Sequence, residues 1–366
     1  MRIGILTFSE ADNYGAMLQA YALATIISKI GHECLIIRYR NQNIWKAYNY
    51  VGLKHRPSAK SFFKKNIELF LFRKRRVAFE SFRQKLPITK TIIDPKTELN
   101  LYNIDKYIVG SDQVWNPRNT QNDTAYLLDF LKDDDKKIAY AASFGNVGFF
   151  EEFGDDSFRL LDKFKYISCR EFDGSTFIKE KLNRDVPVVL DPVLLLKKDE
   201  WNALIQNTSS KKYILVYLLQ PNKELMEYVS RLSKTYKVKV VMIPAIINCF
   251  FSWKNIVNCR MVLGAGPSEF ITLINNAMFV VTDSFHGTAL SIIFEKQFCV
   301  FKNTEKSNTN GRIDTLLKIC GLSNRTSDLC SKMIDINTPI DYKVVKEKIE
   351  NESIRCCEFL NQSIET

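Results

Sequence analysis

A histidine set between an apolar strand and a helix is the first place in this chain where proton chemistry can be expected. The segment Val281-Thr282-Asp283-Ser284-Phe285-His286-Gly287-Thr288 has that form. Backbone N–H groups at a helix start attract anions, and Gly287 would let a ligand approach the main chain closely. An imidazole there can donate a hydrogen bond or a proton near neutral pH. On spacing alone a capping or structural role for His286 is an equal alternative. The other two histidines, His32 and His55, stand far from it and show no ligand spacing with cysteine or carboxylate, so no metal site is expected. The nine cysteines are odd in number, contain no C-x-x-C pair and are scattered like small hydrophobes. Adjacent Cys356 and Cys357 read as a reduced pair on a helix.

The elements that would position His286 follow from hydrophobic patterning. Ile3 to Phe8 reads as a strand, Ala16 to Ile30 as an amphipathic helix stopped by Gly31, and ECLIIRY as the next strand, a βαβ unit with parallel pairing. Further strands are expected at YIVGS (107–111), IAYAASF (138–144), YISCRE (166–171) and VPVVLDP (186–192). After residue 195 the logic repeats: strands KYILVYLL, KVKVVMIP, MFVVTD and FCVF, a helix at GPSEFITLINNA with Pro267 in its first turn, the loop SFHG, and a helix TALSIIFEK. The expected fold is α/β, two Rossmann-like doubly wound domains facing a cleft, with ligands beyond the carboxyl ends of the strands. The first domain spans 1–195 with an insertion at about 41–90, the second 196–340, and a helix at 341–366 could cross back to the first.

Charge is concentrated. The chain of 366 residues carries a net +11, yet Arg38 to Lys85 alone hold fourteen basic residues against Glu68 and Glu80. In that stretch Phe62, Phe63, Leu69, Phe70, Leu71 and Phe72 alternate with cations, which suits either a solvated helical face or a segment meeting anionic lipid. No recognition motif accompanies the charge, so nucleic acid is not an expected partner. The N-terminus lacks the apolar stretch of a secretory signal and no run reaches the length of a bilayer span, so the expected location is cytoplasmic, with peripheral contact at the inner membrane face through 38–85.

Six short words in order complete the picture: Asn13-Tyr14-Gly15-Ala16 with Leu18-Gln19-Ala20, Gly110-Ser111-Asp112-Gln113-Val114-Trp115, Ser143-Phe144-Gly145, Ser168-Cys169-Arg170-Glu171, Leu190-Asp191-Pro192 and Asp283-Ser284-Phe285-His286-Gly287. Together they resemble the polysaccharide pyruvyl transferase family, from about residue 3 to 325. The resemblance implies a two-domain glycosyltransferase-like (GT-B) fold. It implies transfer of the enolpyruvyl carbons of phosphoenolpyruvate to two hydroxyls of one hexose in a cell-surface polysaccharide precursor, lipid-diphosphate-linked, with no cofactor. His286 matches the family's histidine, a phosphate ligand and general acid; Arg170 matches the arginine of its arginine-glutamate pair. Gly287 and Lys306 join the donor set. Ser284 stands where better-studied members carry an arginine, and Arg312 could supply the missing cation. Asn13, Tyr14, Gln19, Gln113 and Trp115 would contact the acceptor, with Asp112 taking a hydroxyl proton. The structural alternative has Asn13 and Asp112 fixing turns and Trp115 in the core. Two rival functions share this shape, a nucleotide-sugar glycosyltransferase and a non-catalytic glycan-binding protein.

Overall fold

Strands covered by helices on both faces must be apolar on both, and the strand runs here are. The computed structural model describes residues 1–48, 73–98, 102–206, 212–220, 223–244, 259–301, 311–327 and 337–366. In the first sheet β1 (Arg2–Leu6), β2 (Glu33–Ile36), β3 (Lys106–Val109), β4 (Lys137–Ala142) and β5 (Tyr166–Cys169) take the order β2-β1-β3-β4-β5. The second contains β6 (Tyr213–Leu218), β7 (Lys239–Pro244), β8 (Cys259–Met261), β9 (Phe279–Thr282), β10 (Gln297–Phe301) and β11 (Thr326–Ser327), ordered β11-β10-β9-β6-β7-β8. All these pairings are parallel. Strand order reverses between β1 and β3 in the first sheet and between β6 and β9 in the second, and crevices open at such reversals.

Two apolar clusters belong to one sheet each; a third joins both. It links Tyr14, Met17 and Leu18 of the first helix (Tyr14–Lys29) to Phe270, Phe285 and Leu290, and to Cys356 and Leu360 of the last helix (Tyr342–Glu365). That last helix starts on the second sheet's side, where Tyr342 Oη donates to the carbonyls of Ser291 (3.4 Å) and Lys296. It ends at the first sheet, where Lys106 Nζ donates to Ser363 O at 3.4 Å and Leu190 N to Cys356 Sγ at 3.2 Å. Among the described residues no helix is long and apolar enough to cross a membrane.

Four elements depart from the sequence reading. The segment 186–192 is not a strand: Val188 makes a single bridge to Cys169, and Asp191 caps a short 3-10 turn at Pro192–Leu194. Pro187 and Pro192 lack the N–H groups that a ladder needs. The helix after β9 begins at Phe285, so His286 lies in its first turn and not in a loop. Arg312 likewise lies in a first turn, that of the helix Gly311–Cys320. Within the basic insertion, the helix at 73–83 is partly a wedge between the two sheets. Arg75 is buried, donates to Pro244 O (3.0 Å) and Asp12 O (3.3 Å), and stacks over Tyr14 at 4.8 Å. Arg83 is buried on Asp12 at 2.5 Å, while Arg38 and Arg40 both bind Glu10. Arg75 and Arg83 are structural and buried away from any membrane; Arg73 and Lys74 are exposed. Phe62, Phe63 and Leu69 to Phe72 lie outside the described residues.

Candidate active site

Two strand-to-helix turns, one from each sheet, meet face to face. Asn13 caps the first helix, its Oδ1 accepting from Ala16 N at 3.1 Å, and Ser284 caps the helix Phe285–Ile293, its Oγ accepting from Gly287 N at 3.3 Å. At Gly15 the contact is so close that a Cβ would lie 1.9 Å from His286 Nδ1. Glycine is required there by space, not by a special backbone angle. Beside this contact opens a cavity of about 290 Å³, reached by Asn13, Asp112 and Gln113 from the first half and by Asp283, His286 and Arg312 from the second. Both strand-order reversals thus open onto one cleft.

Behind the cleft is a buried charge network. Asp191 Oδ2 accepts from Arg170 Nη1 and Ser111 Oγ, both at 2.8 Å, and stands 3.6 Å from His286 Nε2. Burial alone would raise the Asp191 carboxyl, but the His286 ring and the Arg170 guanidinium reverse this and hold it well below the usual carboxylate range. Arg170 Nη2 also reaches Asp112 Oδ1 at 3.3 Å, and its guanidinium lies over the Phe285 ring at 4.6 Å. Glu171 Oε1 accepts from Ser143 Oγ (3.0 Å) and Phe144 N (2.9 Å), and burial raises its carboxyl against the pull of Arg170 and Arg312. The network holds the His286 imidazole next to a carboxylate that stays ionised.

On the open side, Arg312 is pushed down to about 10 by burial and by Arg170, so it remains a cation at neutral pH, and its Nε has no hydrogen-bond partner. Asp283 accepts from Leu219 N (2.7 Å) and Gln220 N (2.8 Å), yet burial outweighs these bonds and lifts its carboxyl to about 6. The arrangement offers a cation, a histidine and carboxylates around a space of small-anion size.

Of the residues singled out in the sequence, Asn13, Asp112, Gln113, His286 and Arg312 come together on the cleft. Others do not. Tyr14 is buried, donates its hydroxyl to Ala265 O at 2.8 Å and stacks on Phe270 at 4.4 Å, so it joins the two halves and contacts no acceptor. Gln19 is consumed by Thr7 Oγ1, Ala16 O and Ser111 N. Trp115 is core, with Nε1 donating to Tyr126 O at 3.2 Å. Gly287 abuts Thr282, whose Oγ1 would lie 2.5 Å from an added Cβ, so close packing against Thr282 leaves no room for a side chain there. Arg170 is 2 % exposed and occupied by two carboxylates, which makes it a positioning residue behind His286 and not an open donor ligand. Lys306 lies outside the described residues. Sequence reasoning gave no role to Asp191, although it stood in a recognised word, and overlooked Asp283 and Tyr48. Among the described residues no group of three or more His, Cys, Asp or Glu is placed to hold a metal ion.

The family model for polysaccharide pyruvyl transferase matches residues 13–305, and the chain belongs to that family. A search of curated proteins returned no match. Among solved structures, the UDP-GlcNAc 2-epimerase from Neisseria meningitidis bound to UDP-GlcNAc is similar at 11 % identity and TM-score 0.55, over 100 % of this chain and 99 % of that one. A putative UDP-N-acetylglucosamine 2-epimerase from Listeria monocytogenes gives 10 % and 0.53, over 98 % and 90 %. The S. aureus MnaA-UDP co-structure gives 13 % and 0.51, over 98 % and 90 %. At such identities the likeness is one of fold, the two-domain α/β architecture expected from the sequence.

Proposed function

We propose that this polysaccharide pyruvyl transferase uses phosphoenolpyruvate as donor and joins its enolpyruvyl carbons to two hydroxyls of one hexose as a cyclic ketal, releasing phosphate. The observation that carries the reading is His286, held between Gly15 and Asp191 at the edge of a cleft that also contains Arg312. Phosphoenolpyruvate is a compact polyanion, and Arg312 with the N–H groups of the helix start at Phe285 can balance it. A proton must reach its methylene carbon as positive charge develops at the neighbouring carbon. His286, at the edge of the cleft beside Asp191, is the donor of that proton. The first acceptor hydroxyl bonds to the developing centre and gives its proton to Asp112; the second hydroxyl displaces phosphate, which carries away the other proton. Arg170 holds both Asp112 and Asp191 in place throughout. No cofactor enters this scheme, since the protein's own cations meet the donor's charge.

The acceptor side, with Asn13, Gln113 and Asp112, suits the hydroxyls of a sugar. We further assign the acceptor as a hexose in a lipid-diphosphate-linked glycan, met at an anionic membrane surface by the segment 38–85 through cations other than the buried Arg75 and Arg83. A ligand that binds only the folded state must raise its apparent stability. A thermal-shift comparison should therefore show stabilisation by phosphoenolpyruvate; stabilisation by nucleotide sugars alone would favour the glycosyltransferase reading.

A further inference from the structure

The start of the basic insertion enters the cleft. Tyr48 ends the short helix Gln42–Tyr48, and its ring lines the cavity while remaining 42 % exposed at the mouth. That helix is pinned to the first half by asparagines: Asn41 Nδ2 donates to Thr120 O (3.1 Å) and Asp123 Oδ2 (2.7 Å), and Asn43 Nδ2 to Asn119 O (2.8 Å). The hydroxyl end of Tyr48 lies within electrostatic reach of Asp112 and Arg312, which line the same cavity.

As a cavity-lining phenol, Tyr48 can donate its O–H into the cleft. Its neighbour Arg312 carries an Nε with no hydrogen-bond partner. A neutral O–H donor and a guanidinium with an unpartnered Nε on one cavity are a pair suited to one carboxylate or phosphate group. Ser284 caps its helix by accepting from Gly287 N.

We infer that Tyr48 and Arg312 together form the anion subsite that holds phosphoenolpyruvate, Tyr48 donating its hydroxyl proton as a hydrogen bond to the same anionic group that Arg312 binds. This rests on the phosphoenolpyruvate reading and names its donor ligands. It also gives the insertion a second task, since its first turn is part of the active site.

The test is the affinity of phosphoenolpyruvate for the full chain and for Tyr48→Phe, Arg312→Gln and the double variant, by calorimetry. Losing one hydrogen bond to a charged group should weaken binding by about ten- to a hundredfold in Tyr48→Phe. The double variant should lose less than the product of the single effects, because the two groups share one ligand. The KM for the acceptor should change by less than about twofold in Tyr48→Phe, and its melting temperature should match the wild type. Binding of phosphoenolpyruvate by the wild type with undiminished affinity in Tyr48→Phe would overturn this inference alone. No binding by the wild type would overturn the proposed donor as well.

Discussion

The two strand-to-helix turns that meet in the cleft are built alike and used differently. Each leaves the carboxyl end of a parallel strand, each is capped by a side-chain oxygen three residues ahead of the N–H it accepts, and each places an aromatic residue at the first helical position, Tyr14 or Phe285. In the first turn every polar side chain after the cap is consumed inside the protein: Tyr14 by Ala265, Gln19 by Thr7 and Ser111. In the second, His286 Nε2 makes no hydrogen bond and stands 3.6 Å from an ionised Asp191. The difference teaches that a motif's polar residues divide by what remains unsatisfied. Buried groups with full partners hold the fold, and chemistry is left to the group without one.

The largest effect should come from breaking the second turn. His286→Gln is expected to lower kcat by about 10²–10⁴-fold, the usual contribution of general acid–base catalysis, with a melting temperature close to wild type because the side chain faces the cleft. A normal kcat would remove His286 from the reaction. The contact between the turns comes next. Gly15→Ala places a methyl group into the imidazole, and a displaced proton donor should lower kcat by about ten- to a hundredfold. If activity is untouched, the turns are not held in register by this contact. In the first turn the loss should fall on stability instead: Tyr14→Phe leaves the Ala265 carbonyl buried without its donor, at a cost of about 1–3 kcal/mol in denaturant unfolding, while kcat changes less than about threefold. A large kcat loss without destabilisation would place Tyr14 in the substrate site after all.

How much of this could be read from the sequence follows the same division. Periodicity located most strands, and the six words located the cleft, because main-chain pattern and turn residues are local signals. What escaped was partner choice over long sequence separation. Nothing near Arg170 in the chain says that Asp191 and Asp112 will occupy it, and nothing near Tyr14 points to Ala265, 251 positions away. Tyr48 was hidden by its surroundings, since fourteen cations in the same stretch drew the reading toward surface charge. SFHG, with a serine and a glycine, has the composition of a loop, yet the serine cap lets the helix start at the very next residue, Phe285.

The smallest expected effect separates the two carboxylates near the second turn by pH. Asp283 has a raised value in the folded state, so between pH about 4 and about 6 the folded protein binds more protons than the unfolded one, and this group's contribution to stability falls as pH rises. Asp191 is depressed, and its contribution is lost only as pH falls below the ordinary carboxylate range. Over pH 4 to 6 the wild type should lose stability relative to Asp283→Asn; parallel curves for the two proteins would show that Asp283 titrates normally.

The most direct test of the central claim is product analysis with purified protein, phosphoenolpyruvate and a hexose-containing acceptor glycan. The account predicts one pyruvate ketal on the acceptor for each phosphate released, by mass spectrometry and phosphate assay, and the loss of both in His286→Gln. An acceptor modified only when a nucleotide sugar is supplied, or ketal formation that persists in His286→Gln, would contradict it.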